Sequence, residues 1–320
     1  MTDGASPRKL FVCGLHRSGT SLIARAIAAH PEVASFKETH ATEQEGQFLQ
    51  QVIPTDEAFG GPGRFAFDPA AHLTETSHLA TRQNAELIAA AWAQFHDPGK
   101  AVLVEKSPPN LLRTRLLQAL FPDASFIIVT RHPIPVSLAT QKWTHTSPFS
   151  LISHWLRAHT LLEQDLPALR RAMVISYEGF VADPVSTLGR IWNFVSLPEH
   201  KAEIDVRDHN RAYFDRWLHD YAGARTAIEE PAGGKRLLQR LTKRLNTAPP
   251  AVKSLQRFQF GRRSDGQDAV LAFERAVRSF GYSLTDFSVC RGSTLDIPQK
   301  IKPVAVTERS SPLAIPGALR

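Results

Sequence analysis

Leu10-Phe-Val-Cys-Gly-Leu-His-Arg-Ser-Gly-Thr-Ser-Leu-Ile-Ala-Arg-Ala-Ile27 is the stretch whose reading decides the fold. Its apolar run ends at Gly14, a polar glycine-containing turn follows, and a helical pattern begins near Gly19. The order is strand, loop, helix. A loop of this kind turns several backbone N–H groups toward one point at a helix N-terminus, where the dipole also favours an anion. The spacing Gly14-x-x-x-x-Gly19 is that of a P-loop, but Thr20-Ser21 stand where a nucleoside-triphosphatase would need Lys-Ser or Lys-Thr. The cation sits inside the loop instead, as Arg17. The plain alternative is a tight strand-to-helix turn with a capping hydroxyl.

Working outward, three more apolar runs read as strands: Ala101 to Val104, Ser125 to Thr130 and Met173 to Tyr177. Continuous apolar runs suit strands buried on both faces. Helical patterns alternate with them, over Thr20 to Ala29, His72 to Phe95, Leu111 to Leu120, 148 to 171 and Asp183 to Phe194. The last begins Asp-Pro, an N-cap followed by a first-turn proline. Strands alternating with helices predict an α/β protein with a parallel sheet covered on both sides. In such sheets the ligand lies beyond the carboxyl ends of the strands, which gathers the turns after Cys13, Val104, Thr130 and Tyr177. Between them, Pro31 to Ala71 reads as one long irregular segment carrying Glu38, His40, Glu43 and Glu45. Loops of that length inside a domain are usually functional or mobile.

The 320 residues suffice for one large α/β domain or two small ones, and 42% apolar content is ordinary for a globular chain. No run approaches the 18 apolar residues of a membrane span. Met1 to Lys9 reads as a polar lead into the first strand rather than a signal peptide. Two cysteines, Cys13 and Cys290, suggest no disulfide framework, and the expected location is cytoplasmic. The net charge of +7 is uneven: residues 201–320 carry twenty-one Lys or Arg against thirteen Asp or Glu. Nine basic residues and no acidic one fall within 231–264, with Arg262 and Arg263 at its end. That stretch, 235–263, could close over an anionic ligand or touch a membrane surface; a solvated helix face is the plain alternative. Nothing accompanies it that points to nucleic acid.

Two groups of polar residues could hold anions. Arg17 offers a planar donor fork for phosphate or sulfate oxygens, and Ser18, Thr20 and Ser21 add hydroxyls. Arg131, directly after the strand Ser125 to Thr130, forms a second site with Ser137 in the following helix; a surface salt bridge is its plain alternative. Two anion sites at opposite ends of one nucleotide would suit a ligand phosphorylated at both its 3′ and 5′ positions. No strand ends in the Asp of a magnesium-dependent triphosphatase, Glu105 being the nearest substitute, and no metal site is expected. His154 and His159 lie five apart on a helix and share no face.

With these motifs in order, the chain resembles sulfotransferases that use 3′-phosphoadenosine-5′-phosphosulfate. Gly14 to Ser21 resembles their 5′-phosphosulfate loop. Phe126-Ile-Ile-Val-Thr-Arg-His-Pro133 with Ser137 resembles their 3′-phosphate motif. Val174-Ile-Ser-Tyr-Glu-Gly-Phe-Val-Ala-Asp-Pro184 resembles a later strand and turn whose tyrosine, here Tyr177, lies near the nucleotide. The resemblance covers roughly residues 9 to 197 and implies a three-layer, P-loop-like fold with a central parallel sheet flanked by helices. It implies a single domain over 9–290, with a motif-bearing core (9–197) and a helical C-terminal part (198–290), followed by a loosely ordered tail, 291–320.

Within the superfamily the loop most resembles that of tyrosylprotein sulfotransferases and of bacterial proteins sharing Arg-Ser-Gly-Thr. Position by position this implies that Arg17 and Lys106 contact the transferring sulfuryl group and that Glu38 is the catalytic base. His16, Arg17, Ser18, Gly19, Thr20, Ser21, Arg131, Ser137 and Tyr177 are implied to bind the co-substrate. His40 rivals Glu38, because its pKa needs little tuning. Glu43 and Glu45 read as loop solvation or acceptor contacts. The usual phosphate-binding serine position is occupied by Ala139, leaving Ser137 or Thr140 to serve. The acceptor implied is a small molecule, carbohydrate or lipid carrying a hydroxyl or amine. Two other readings stand beside this one: a P-loop nucleotide kinase-like enzyme, which the absent lysine disfavours, and a non-catalytic nucleotide-binding protein.

Overall fold

In the computed structural model, which describes residues 6–144, 146–201, 204, 206–222, 265–289 and 295–296, β1 (Arg8–Cys13) runs through the middle of a six-stranded sheet. Its companions are β2 (Val33–Ser35), β3 (Val102–Lys106), β4 (Ser125–Thr130), β5 (Ala172–Ser176) and β6 (Leu295–Asp296). The order is β2-β3-β1-β4-β5-β6. The first five strands pair in parallel and β6 adds antiparallel to β5. Val12 lies opposite Lys106 and Cys13 opposite Ile128, so β1, β3 and β4 end at one edge. Chain order departs from β1 in both directions at this point, which is where a doubly wound sheet opens a crevice.

Alternation along β1 explains why both faces are covered. Leu10 and Val12 pack with Ile23 and Ile27 of α1 (Thr20–Ile27) and with Ile191 and Trp192 of α7 (Pro184–Phe194). Phe11 faces the other way, stacked on Phe126 at 5.5 Å and packed with Trp92 and Phe121. Those rings come from the layer of α2 (Arg82–Ala93) and α3 (Thr114–Leu120). Helices therefore flank the sheet on both sides.

The described residues fall into two compact units, one within 1–131, 158–207 and 292–304, the other within 132–157, 208–291 and 305–320. The first holds the sheet, with α1–α3, α6 (Tyr177–Ala182) and α7. The second holds α4 (Pro133–Thr144), the start of α5 (Pro148–Asp165), α8 (Asn210–Trp217) and α9 (Asp265–Arg278). Its centre is aromatic. His132 lies edge-on to Phe214 and Tyr282, Phe214 stacks on Phe287 at 4.5 Å, and Trp155 meets Phe280. Glu274 ties this unit's loop by accepting from Leu284 N–H and Ser283 Oγ, both at 2.6 Å.

Several expected boundaries move, each for a local reason. The helix expected from His72 begins only at Arg82: Thr74 and Ser77 hydroxyls accept from backbone N–H groups two residues on, and Thr81 caps α2 by accepting from Asn84 N–H. The helix expected to reach residue 171 stops at Asp165, where Leu166–Ala168 forms a 3₁₀ turn containing Pro167. Tyr177 is not the end of a strand but the first residue of α6, capped by Ser176 Oγ accepting from Gly179 N–H. The Asp183 cap before Pro184 is present, accepting from Ser186 N–H. Pro31 to Ala71 is not irregular throughout; it contains β2 and a series of short 3₁₀ turns. Leu295–Asp296, within the stretch read as a tail, forms β6. The basic stretch 235–263, His145 and Cys290 lie outside the described residues.

Candidate active site

The loop after β1 is built by close approach. A Cβ on Gly14 would sit 2.6 Å from the Val129 carbonyl, and one on Gly19 would sit 2.5 Å from the Tyr177 ring. Gly19 is left-handed (φ 94°), as is Arg17 (φ 65°), on either side of Ser18. Ser18 N–H donates to Leu15 O at 3.0 Å and closes the turn. Alternation of this kind turns successive N–H groups toward one concavity. Arg17 is exposed, while Ser18 is fully buried, its Oγ without a hydrogen-bond partner among the described residues.

Arg131, at the end of β4, fixes this loop from the side. Its Nη1 donates to the Arg17 carbonyl at 2.8 Å, and its guanidinium lies 4.0 Å from the centre of the Tyr177 ring. Tyr177 in turn donates from its hydroxyl to Arg207 O. Loop, β4 end and α6 are thereby locked through one cation and one ring. Ser137 belongs to α4 in the second unit; it is fully buried and its Oγ has no hydrogen-bond partner among the described residues.

At the end of β3 stands Lys106, 7% exposed, with two carboxylates on its ammonium. Nζ donates to Glu45 Oε1 at 2.8 Å and to Glu43 Oε2 at 3.4 Å. Ser21 Oγ of α1 donates to the same Glu43 oxygen at 2.7 Å. That bond, with help from Lys106, holds Glu43 below the usual carboxylate range. Burial pushes Glu45 above it, opposed by Lys106 and by the Gln47 amide donating to Oε2.

Glu105, one residue before Lys106, explains how Glu45 gets there. Its Oε1 accepts from Ser107 Oγ and Gly46 N–H, and its Oε2 from the Asn110 amide. Burial pushes its pKa up to about 7. Gln47 N–H donates to Ser107 Oγ, and the Trp92 indole donates to Gly46 O. Gly46 has no room for a side chain, since a Cβ would lie 2.6 Å from Glu105 Oε1. Glu45-Gly46-Gln47 is thus pinned to the end of β3 by three hydrogen bonds, to Glu105, Lys106 and Ser107, and to α2 by a fourth from Trp92.

The sequence-derived assignments fare unevenly against this geometry. Arg17, Ser18, Gly19, Thr20 and Ser21 form one loop and helix start, joined by Arg131 and Tyr177. Glu38 is exposed in left-handed backbone (φ 53°), and its side chain makes no hydrogen bond or ion pair among the described residues. His40 is also exposed and lies edge-on to Phe95. Glu43 and Glu45, read from sequence as solvation or acceptor contacts, are the carboxylates on Lys106. The local signal for this was Gly46, a glycine in a polar segment where another group approaches the backbone. His16 is held with its ring mostly covered, 11% exposed, Nε2 3.4 Å from Asp56 Oδ2, and desolvation followed by Lys106 lowers its pKa to about 3. It is neutral at any ordinary pH. Asp56 and Arg113, which sequence reasoning passed over, are buried, and their charges act on each other. Arg113 is one of two arginines, with Arg115, set between the leucine pairs Leu111-Leu112 and Leu116-Leu117. Among the described residues no group of three or more His, Cys, Asp or Glu side chains could hold a metal ion.

A glycine-containing loop after the central strand of a parallel sheet, with Arg and Lys at the ends of its two neighbours, defines a P-loop-like α/β protein without the triphosphatase lysine. The pattern described as the sulfotransferase family matches residues 7–201, and the chain belongs to that family. Protein-tyrosine sulfotransferase 1 of Danio rerio is 26% identical over 204 residues, 60% of this chain and 54% of the relative. Protein-tyrosine sulfotransferase 2 of Gallus gallus is 26% identical over 200 residues, 59% and 51%. The chain therefore spans about half the length of these curated relatives. A sulfotransferase structure from Alicyclobacillus acidocaldarius aligns with a TM-score of 0.40 at 18% identity, over 68% of this chain and 92% of that one.

Proposed function

We propose that this chain transfers a sulfuryl group from 3′-phosphoadenosine-5′-phosphosulfate to a hydroxyl or amine of an acceptor, with residues 9–290 acting as one functional domain. The observation that carries the reading is Lys106, a buried cation at the strand end next to the anion loop, held in place by Glu43 and Glu45. The fit to the donor rests on the loop itself. Gly14 and Gly19 leave no space for a Cβ, and Ser18 buries a hydroxyl without a hydrogen-bond partner among the described residues. Buried hydroxyls in native structures are normally satisfied. The loop N–H groups and Ser18 would hold the 5′ end, and Arg131 would serve the 3′-phosphate; Ser137, or Thr140 in the same helix, is added to the 3′-phosphate by resemblance alone.

When bound, the donor supplies an electrophilic sulfuryl on a phosphate leaving group. Arg17, Lys106 and the loop N–H groups oppose the charge that gathers on the leaving oxygen, as preorganised donors. The acceptor oxygen or nitrogen forms its bond to sulfur as the bond to the phosphate oxygen breaks, and its proton passes to a carboxylate. Resemblance assigns that carboxylate as Glu38; the bond to Lys106 and the raised pKa support Glu45. General-base help of this kind is worth ~10²–10⁴-fold.

The relatives' names concern protein tyrosine; for this chain the acceptor is proposed only as a hydroxyl or amine on a small molecule, carbohydrate or lipid. A cytoplasmic site of action belongs to the proposal and is supported by the sparse cysteines and the free thiol of buried Cys13. No helix among the described residues is long and apolar enough to cross a membrane. The deciding experiment pairs thermal-shift titration with transfer of labelled sulfuryl. Stabilisation by 3′,5′-adenosine bisphosphate but not by ATP with magnesium, together with acceptor-dependent transfer, is the expected result. The opposite ligand preference would favour a kinase-like enzyme, and nucleotide binding without transfer a non-catalytic protein.

A further inference from the structure

His16 shares the loop with Arg17, yet its mostly covered ring lies against residues the donor site does not use. It lies edge-on to Phe65 at 6.0 Å and 3.4 Å from Asp56 Oδ2. Arg113 is close enough to Asp56 for each charge to act on the other. Arg113 is 1% exposed, and its Nε and Nη2 have no hydrogen-bond partner among the described residues. Its guanidinium instead sits 6.0 Å from the centre of the Phe59 ring. Asp56 Oδ2 and His16 Nδ1 are likewise buried without a hydrogen-bond partner.

A buried guanidinium without hydrogen bonds is costly, and each such orphan requires its own explanation. The three groups differ in kind. Arg113 only donates, an ionised Asp56 only accepts, and a neutral His16 does one at each nitrogen. An anionic ligand would meet Asp56 and the nearby Glu105, and an ammonium would meet Arg113. A single hydroxyl would satisfy one group and leave the others bare. Neighbouring hydroxyls on a ring can donate to Asp56 and accept from Arg113 together, with their C–H faces against Phe59 and Phe65.

We infer that His16, Asp56 and Arg113, walled by Phe59 and Phe65, form the acceptor pocket, and that the acceptor is a polyhydroxylated, sugar-like molecule. The inference rests on the sulfotransfer reading and names its substrate class. It makes Arg113 a specificity residue whose unsatisfied Nε and Nη2 donors burden the free protein and are completed by the acceptor's oxygens.

The test uses the full chain with labelled donor and probes of similar size: methyl glucoside and inositol as polyols, cyclohexanol as a single hydroxyl, cyclohexylamine as an amine. Transfer to the polyols is expected to exceed transfer to the others by at least about tenfold, because a site built for hydroxyls rejects analogues lacking them. The preference should vanish in Arg113→Met and Asp56→Asn. The melting temperature of the Arg113→Met/Asp56→Asn double variant without ligand, which strands neither charge, should not fall, whereas a structural role for the pair would lower it. Equal transfer to cyclohexanol, or a polyol preference that survives both substitutions, overturns the pocket. Should no probe turn over, melting with 3′,5′-adenosine bisphosphate decides: a rise with methyl glucoside that Arg113→Met abolishes supports the pocket, and no rise overturns it. Transfer to cyclohexanol alone would keep the sulfotransfer reading and remove this pocket. Polyol binding without adenosine bisphosphate binding would do the reverse.

Discussion

Lys106 Nζ and Glu45 Oε1 lie 2.8 Å apart, both side chains buried, at the end of the strand beside the anion loop. A carboxylate so placed is electrostatically matched to its lysine and also desolvated, and burial is the larger effect on its pKa. That combination distinguishes it from Glu38, which is exposed. Glu45→Gln is expected to lower turnover at least ~100-fold and to remove the acid limb of the pH–rate profile, while Glu38→Gln keeps both. A pH–rate series on the two variants checks this; the reverse outcome would return the base to Glu38.

Arg17 and Lys106 are both assigned to the developing charge, but they differ in what their loss does to the fold. Arg17 is exposed, so Arg17→Ala is expected to fold normally and lose at least ~100-fold in turnover. Lys106→Ala strands Glu45 without its buried counter-charge, which typically costs ~3–5 kcal/mol. Its activity loss is therefore to be read beside Lys106→Ala/Glu45→Gln, where the stranded charge is gone. Stability recovers in the double variant and turnover does not, as denaturant melts and initial rates on the same samples would show.

Gly46 has room for no side chain. A Cβ there would lie 2.6 and 2.7 Å from Glu105 Oε1 and Cγ and 2.9 Å from the Phe36 ring. Its N–H and carbonyl are both bonded, so the backbone has little freedom to retreat. Gly46→Ala is expected to cost ~1–3 kcal/mol and to lower turnover by displacing Glu45, with adenosine bisphosphate affinity retained. Melting, nucleotide titration and rate measurements on this one variant separate the three effects.

The sheet was legible because its strands are buried on both faces and so carry uninterrupted apolar runs, Leu10 to Cys13 and Ser125 to Thr130 most plainly. The anion loop was legible because glycine spacing and a strand-to-helix change coincide there. β2 was not, since Val33–Ser35 is three residues long and gains its place from pairing with β3 rather than from its own pattern. The carboxylate partner of Lys106 was hidden for a related reason. Glu38, Glu43 and Glu45 share one polar segment and look alike locally; contacts about sixty residues away in sequence, from Glu105, Lys106 and Ser107, pick out Glu45. Arg113 and Asp56 were missed because one of two arginines on a leucine-rich helix start and an acid before a glycine-rich turn each have ordinary explanations.

Glu105 and His16 titrate in opposite senses, which makes a stability prediction sharp. Glu105 rises from 4.5 to about 7 on folding, so the folded state holds more protons than the unfolded between those values, and stability falls as pH rises through that window. His16 drops from 6.5 to about 3, so the unfolded state holds the extra proton, and stability rises with pH between those values. Between about pH 4.5 and 6.5 the two slopes, each near ~1.4 kcal/mol per pH unit, cancel. Glu105→Gln should therefore uncover the His16 slope. Relative to wild type, the variant gains stability as pH rises from about 4.5 toward 7, by roughly 3 kcal/mol in total on the one-unit-per-1.4 kcal/mol scale. Urea melts of both proteins across that range measure the difference directly. A constant offset between the two curves would mean that Glu105 keeps an ordinary carboxylate pKa, and that its three hydrogen bonds outweigh its burial.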